Sequence, residues 1–400
     1  MTGMEKEIAL LSQFAEEDQE YIRALRRQFH RHPELSFQEF ETTRTLAEEL
    51  QKCPGMEVTT WDGKTGVLGV LRGEKAGKVV ALRADIDALP LEEKSGLPFP
   101  SEQSGAAHCC GHDLHMSVLI GVARVLSHHP ELFSGTVKFI FQPGEEKLGG
   151  SETMIERGVL KNPDAQAIFA MHTWPAVDAG SVGFRAGAFM ASSDDIDLRI
   201  IGKSGHAAHP DQCADPIVAS AAVISGLQTI VSREIKPTDS TVLTISMIQG
   251  GKARNVIAPD VTLKGTVRTI SNAVRDKMPA MIQDLAGTIA KSYHCEAEVN
   301  YTKGVAAVIN EEGLNNLAKK AAAEVLGAEK TVDLKEVSLG SEDFSAYQQE
   351  IPGVLFRLGT GSEDPQTRLG LHNSAIRFDE KALLAGVKAL SAVALAYLDA

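Results

Sequence analysis

The chain is expected to be an α/β protein: a mostly parallel sheet covered by helices, interrupted by a smaller α+β unit of ferredoxin-like order. Three observations carry this expectation. Short apolar runs alternate with helical stretches early in the chain and resume near residue 354. From about 190 to about 300 the pattern changes to period two, as half-exposed antiparallel strands require. The length of 400 residues also exceeds one ordinary core, at roughly 150 residues per domain.

Residues 5–50 read as helical, with Leu25 and Phe29 at helical spacing and Pro33 ending a helix locally. Residues 78–82 form a short apolar run that leads into Asp85 and Asp87, as a buried strand would. A second run, 137–141, leads into Gly144, Glu145 and Glu146. A third, 167–170, ends in Met171 and His172, and 354–358 is a fourth. Residues 114–127 and 149–157 are the helical stretches between them. Polar residues at the carboxyl ends of several strands stand where such sheets place their sites.

Residues 195–200 alternate apolar and polar, as do parts of 241–248 and 261–267. Amphipathic helical stretches at 214–232 and 272–292 lie among them. The resulting strand-helix-strand-strand-helix-strand order is that of a ferredoxin-like sandwich. Strand signals and polar site chemistry return over 342–372, so the sandwich reads as an insertion. Residues 1–189 and 301–400 would form one discontinuous domain, and 190–300 the inserted one. Residues 382–400 read as an amphipathic closing helix interrupted by Lys388 and Asp399. No run reaches the roughly 18 uninterrupted apolar residues expected of a membrane span.

A net charge of -13 makes nucleic acid or an anionic membrane surface an unsuitable partner. Cys53, Cys109, Cys110, Cys213 and Cys295 are odd in number and do not have the spacing of a disulfide framework. Reduced thiols in the cytoplasm are the simpler reading, and Cys53, Cys213 and Cys295 read as small buried hydrophobes. Residues 1–7 lack a basic region followed by an apolar stretch, so no secretory signal is expected there.

The chemistry concentrates in a few segments. Cys110 and His112 stand two apart, and Glu145, Glu146, His172 and His372 follow. Thiolate, imidazole and carboxylate together suit zinc or manganese. A lone Cys-x-His would more simply be a buried cysteine beside a capping histidine; the further donors favour a metal. Five residues can ligate, Cys110, His112, Glu146, His172 and His372, and Glu145 remains as a general base for a metallohydrolase. In extended chain, the side chains of Glu145 and Glu146 would point in opposite directions. Asp87 would orient a ligand imidazole, although capping of a strand end is the plainer alternative.

Nine segments in order resemble the M20 metallopeptidase/amidohydrolase family, in its branch of N-acyl-amino-acid hydrolases, which includes hippurate and plant auxin-conjugate hydrolases. They are 31–35, 83–90, 110–113, 141–146, 205–208, 255–257, 265–268, 340–344 and 371–373, and the similarity covers nearly the whole chain. The resemblance implies a catalytic domain with two divalent metal ions, zinc or manganese with nickel or cobalt open. It implies a lid domain that also pairs subunits into a homodimer or a dimer of dimers. By motif matching, the five donors named above are the ligands, Glu145 is the base, and lid His206 reaches the partner's active site to stabilise the oxyanion. Asn255 and Arg268 match positions that hold the substrate; Arg268 could also be an ordinary sheet-surface arginine. Cys109 and Gly144 stand where small residues, often alanine, are usual, and Lys147-Leu148 interrupts a stretch usually rich in glycine. These departures leave the donors intact and bear on the shape of the pocket.

The expected reaction is hydrolysis of the amide bond of a small-molecule N-acyl amino acid. A dipeptidase or carboxypeptidase using the same site is the alternative. A nucleophilic Cys110, or a metal-buffering protein with no turnover, would use the same residues differently.

Overall fold

The apolar runs form the centre of an eight-stranded sheet in a computed structural model, which describes residues 13–400. Its strand order is Glu57–Thr59, Val67–Arg72, Ser134–Gln142, Lys75–Asp85, Ala167–Asp178, Gly353–Gly361, Val182–Phe184, Thr331–Asp333. The four central strands run parallel. Val67–Arg72 and Val182–Phe184 join them antiparallel. Strands buried on both faces read as nearly continuous apolar runs, and Gly353–Gly361 is buried at every position, with Arg357 and Thr360 its polar members.

Helix Gln19–Arg31 presents Ile22, Leu25 and Phe29 to the core at helical spacing. The helical expectation for 5–50 is broken at 32–39, where Pro33 and a turn intervene; its first part, 5–12, lies outside the described residues. The closing helix, Lys381–Asp399, is a correction. It is buried on nearly every side and packs against helices His112–His128 and Glu312–Leu326. Together with 216–234, it is long and apolar enough to cross a membrane by length and composition, but 78% of its apolar stretch is buried within the fold. Lys388 interrupts the run without exposing the helix, because its ammonium reaches out to Glu16 at 2.7 Å.

The chain divides into two compact units: 1–187, 309–336 and 346–400 form one, and 188–308 with 337–345 form the other. The return to the first unit therefore falls at Ile309, later than residue 301. The last strand of the smaller unit, Glu296–Val305, runs past that point and is tied down by the buried Asp194. The Asp194 carboxylate accepts from Arg275 at 2.7 Å, from the Tyr301 hydroxyl at 2.7 Å and from the Gly304 amide at 2.9 Å.

The smaller unit has the order expected from the sequence. Ser193–Ile201, Thr241–Gly250, Asp260–Thr269 and Glu296–Val305 form an antiparallel sheet, with Thr241–Gly250 and Glu296–Val305 at its edges. Helices Pro216–Thr229 and Asn272–Ser292 cover Ile196, Leu198, Ile200, Val261 and Leu263. Both helices begin where capping side chains stand: Asp215 accepts from the Ile217 amide and Ser271 from the Val274 amide. Cys53 and Cys295 are buried as expected, while Cys213 is half-exposed, a second correction: it sits in the turn after 210–212, outside the sandwich core.

Candidate metal centre and active site

The site is built at the carboxyl ends of the central strands. Lys75–Asp85 ends at Asp85, and Ser134–Gln142 ends three residues before Glu145. His112 opens helix His112–His128 directly after Gly111. Gly111 has φ +87°, and a Cβ there would stand 2.7 Å from Thr173, so only glycine lets the helix start this close to the His172 strand.

His172 is not at a strand end, as the sequence suggested, but within Ala167–Asp178. Pairing with Lys75–Asp85 stops at Ala170, while pairing with Gly353–Gly361 continues. Beyond Ala170 one edge of the strand is therefore released, and His172 lies there.

His112 and His172 are held alike, each by Nδ1 against a backbone carbonyl. His112 Nδ1 lies 2.8 Å from the Asp87 carbonyl and 3.4 Å from Asp87 Oδ1, so Nε2 faces inward. His172 Nδ1 lies 2.8 Å from the Thr173 carbonyl, and its Nε2 is 3.5 Å from Cys110 Sγ. His372 Nε2 is 3.4 Å from Glu146 Oε2. A ring nitrogen held by a carbonyl fixes the tautomer and presents the other nitrogen as a ligand atom.

The donors converge in overlapping sets. Cys110, His112 and His172 have ligand atoms within 4.8 Å of one another, as do Cys110, Glu146 and His372. Cys110 belongs to both sets. His112, Glu145 and Glu146 form a further set, with His112 Nε2 3.8 Å from Glu146 and 4.0 Å from Glu145.

The pair at 145–146 corrects the expectation of an extended chain. It lies in a single 3-10 turn, Glu145–Lys147, entered through left-handed Gly144 at φ +64°. The turn brings both carboxylates toward His112 instead of pointing them apart.

These residues fit a cation. His112 Nε2 and Glu146 Oε1 are buried polar atoms with no hydrogen-bond partner, a costly arrangement unless something charged stands between them. Burial pushes Glu146 up to about 7, against the pull of His112, and pushes the Cys110 thiol well above its ordinary value. Burial also disfavours charge on His112, yet Asp85 and Cys110 drive its pKa well up. The unpartnered atoms of His112 and Glu146 suit a cation between them, and coordination would deprotonate the thiol outright.

Asp85 is held on one side by Arg83 at 2.7 Å and on the other by His115 at 2.5 Å. The burial penalty on its carboxylate is outweighed by His112, His115 and Arg83, which hold its pKa well below the ordinary range. His115, three residues after His112 on one helix, shares that face. Its Nε2 accepts from the Thr173 amide at 2.8 Å, which ties the helix to the His172 strand. Asp113, one residue on from His112, faces elsewhere and is buried against His30 Nδ1 and Arg26 Nε, both at 2.8 Å. Ser36, Glu39 and Thr173 carried no motif signal and were missed.

In the smaller unit, His206 and Asn255 are neighbours. Gly205–His206 pairs with Val256–Ile257, and the Ala207 amide donates to the Asn255 carbonyl at 3.1 Å. His206 is exposed, with its Nδ1 accepting from the Ala208 amide at 3.0 Å. Arg268 lies near the end of Asp260–Thr269 and donates to Ser341 Oγ at 3.0 Å. This one bond does not exhaust a guanidinium with five N–H donors.

The profile of Peptidase family M20/M25/M40 matches residues 81–396. The N-acetylcysteine deacetylase of Bacillus subtilis (strain 168) is 39% identical over 376 residues, 94% of this chain and 96% of that protein. The N-acetyldiaminopimelate deacetylase of the same organism is 37% identical, covering 93% and 97%. Among solved structures, the Bacillus subtilis YXEP protein, a dinuclear metal binding peptidase from the M20 family, is 35% identical with a TM-score of 0.84. That comparison covers 96% of this chain and 99% of the other.

Proposed function

The chain belongs to peptidase family M20/M25/M40, and on that premise we propose that it hydrolyses the amide bond of N-acyl amino acids, releasing a carboxylic acid and a free amino acid. The observation that carries this reading is the convergence of Cys110, His112, Glu146, His172 and His372, with Glu145 beside them. These five would hold two divalent cations, zinc or manganese. When bound, such cations supply Lewis acidity and lower the pKa of an attacking water. Cys110, common to two donor sets, would hold both.

Glu145 takes the proton from the attacking water and passes it to the leaving amine. Asp87 holds His112 in one tautomer. His206 of a second subunit donates to the carbonyl oxygen as negative charge develops there. Asn255 and Arg268 receive the carboxylate of the amino acid. The five free thiols suit a reducing cytoplasm.

Relatives named for N-acetylcysteine and N-acetyldiaminopimelate make short acyl groups the first substrates to try. A panel of N-acetyl and longer N-acyl amino acids, run beside free dipeptides, tests the class. N-Acetyl amino acids should be turned over at least ~10-fold faster in kcat/KM, as expected when a site leaves a dipeptide's ammonium unpaired. Faster cleavage of dipeptides would move the assignment to the dipeptidase alternative.

A homodimer through the smaller unit is part of the proposal. Its edge strand Thr241–Gly250 exposes Met247 and Ile248, and Ile217, Val218 and Val256 are exposed in the same unit. An apolar sheet edge of this kind is suited to pairing with another copy. Mixing His206→Ala with Glu145→Gln under conditions of subunit exchange should restore activity that neither has alone. Recovery should approach about a quarter of wild type, since half of randomly exchanged dimers are mixed and each holds one competent site. No recovery despite proven exchange would place His206 in its own subunit's chemistry or in none.

A further inference from the structure

The turn that carries Glu145 is gripped by a loop more than 100 residues earlier in the chain. The Gly144 amide donates to Glu39 Oε1 at 2.9 Å, and Glu39 is completely buried. Ser36 Oγ donates to Asp87 Oδ2 at 2.6 Å, and that same oxygen accepts from the Glu146 amide at 3.0 Å. Between these anchors stands Phe37, at φ +64°, a region that non-glycine residues seldom adopt. Its ring lies on Gly144: a Cβ there would be 2.4 Å from Phe37 Cζ. The loop is itself fixed to the sheet end, because the Ala88 amide donates to the Glu34 carbonyl at 2.8 Å.

Three contacts thus define where the turn can sit. Glu39 fixes the peptide that enters Gly144, Ser36 acts through Asp87 on the peptide of Glu146, and Phe37 closes the face of Gly144. Backbone strain held in place by surrounding contacts tends to mark functional sites. The loop has no motif of its own, and none of its side chains is among the converging donors.

We propose that loop 36–39 is the positioning device for Glu145, with Glu39 as a positioning residue whose carboxylate sets the turn at 144–146. The proposal rests on Glu145 acting as the base. A base displaced by about 1 Å can lose 10²-fold in rate while substrate still binds. Glu39 would therefore act on kcat and leave KM and metal content nearly alone.

Glu39→Ala removes the acceptor, whereas Glu39→Gln keeps an oxygen in the same place. Burial pushes Glu39 itself up to about 7, so an uncharged side chain there is a fair substitute. In metal-free protein, amide hydrogen exchange over 144–146 should quicken by ~10-fold or more in Glu39→Ala and stay near wild type in Glu39→Gln. In loaded protein, kcat should fall ~10–10²-fold in Glu39→Ala, with KM and bound metal within about threefold, and Glu39→Gln should recover most of it. Wild-type exchange and kcat in Glu39→Ala would overturn the proposal. So would equal losses in both variants, or a loss of turnover that only tracks lost metal.

If Glu39→Ala does not fold, the contact between Phe37 and Gly144 decides. Phe37→Ala alone should quicken exchange at 144–146 and lower kcat several-fold, with KM and bound metal kept, because the ring closes the face of Gly144. Wild-type exchange and kcat in Phe37→Ala would overturn the proposal. Glu145→Gln runs beside these arms: full turnover there rejects the base, while the exchange data still test the grip on the turn.

Discussion

Glu145→Gln is expected to bind metal as the wild type does and to lose on the order of 10²–10⁴-fold in turnover. The substitution keeps shape and a hydrogen-bonding oxygen but removes the basic site. Glu145 is buried, 4.0 Å from His112 Nε2, in the same short turn as the proposed ligand Glu146. A group so near the metal donors, and outside the two sets that share Cys110, is placed to handle protons. The KM should change little if the loss is in the transition state alone. Metal analysis beside steady-state rates checks it. Equal activity with unchanged metal would reject Glu145 as the base.

Cys110→Ala should have an effect of comparable size by a different route. Its sulfur is the atom common to the two donor sets that end in His172 and His372. A sulfur that held both cations would take one ligand from each when removed, so at least one of two equivalents of metal should be lost along with activity. The rival reading also has an observation behind it. Cys110 Sγ lies 3.5 Å from His172 Nε2, a distance at which a thiol and a base could cooperate. In that case the variant would keep its metal and lose only chemistry. Cys109→Ala provides the control. Its thiol is buried and pushed up to about 12, chiefly by that burial, and its carbonyl, unchanged by the substitution, accepts from the His372 amide. A Cys109 variant as poor in metal as Cys110→Ala would mean that the neighbouring thiol had been misassigned.

Much of this arrangement can be read along the chain because it is local. The strand runs are apolar and short, and those at 78–82, 137–141 and 167–170 lead within a few residues into a polar segment of the site. The alternation over 195–200 and the two helical stretches were enough to order the ferredoxin-like sandwich. What failed was conformational detail. Glu145 and Glu146 looked like extended chain, but Gly144 at positive φ starts a turn that makes them converge. His172 looked like the end of a strand because the change in sheet pairing at Ala170 leaves no mark in local composition. Which of Asp113 and His115 supports the site depends on the phase of helix His112–His128, since each residue turns the direction by about 100°. Glu39 and Ser36 escaped notice for a deeper reason. Their partners, Gly144 and Asp87, are distant in sequence, and only the folded sheet brings them together.

Metal-dependent hydrolysis is tested by the turnover of an N-acetyl amino acid by the purified protein before chelation, after chelation and after metal is returned. If the converging donors hold the cations that activate water, activity should fall to background when the metal is stripped. It should return with zinc or manganese, near two equivalents per chain, with free amino acid and acetate released in equal amounts. Full turnover by metal-free protein would contradict the central claim, as would no turnover of any N-acyl amino acid by protein shown to carry its metal.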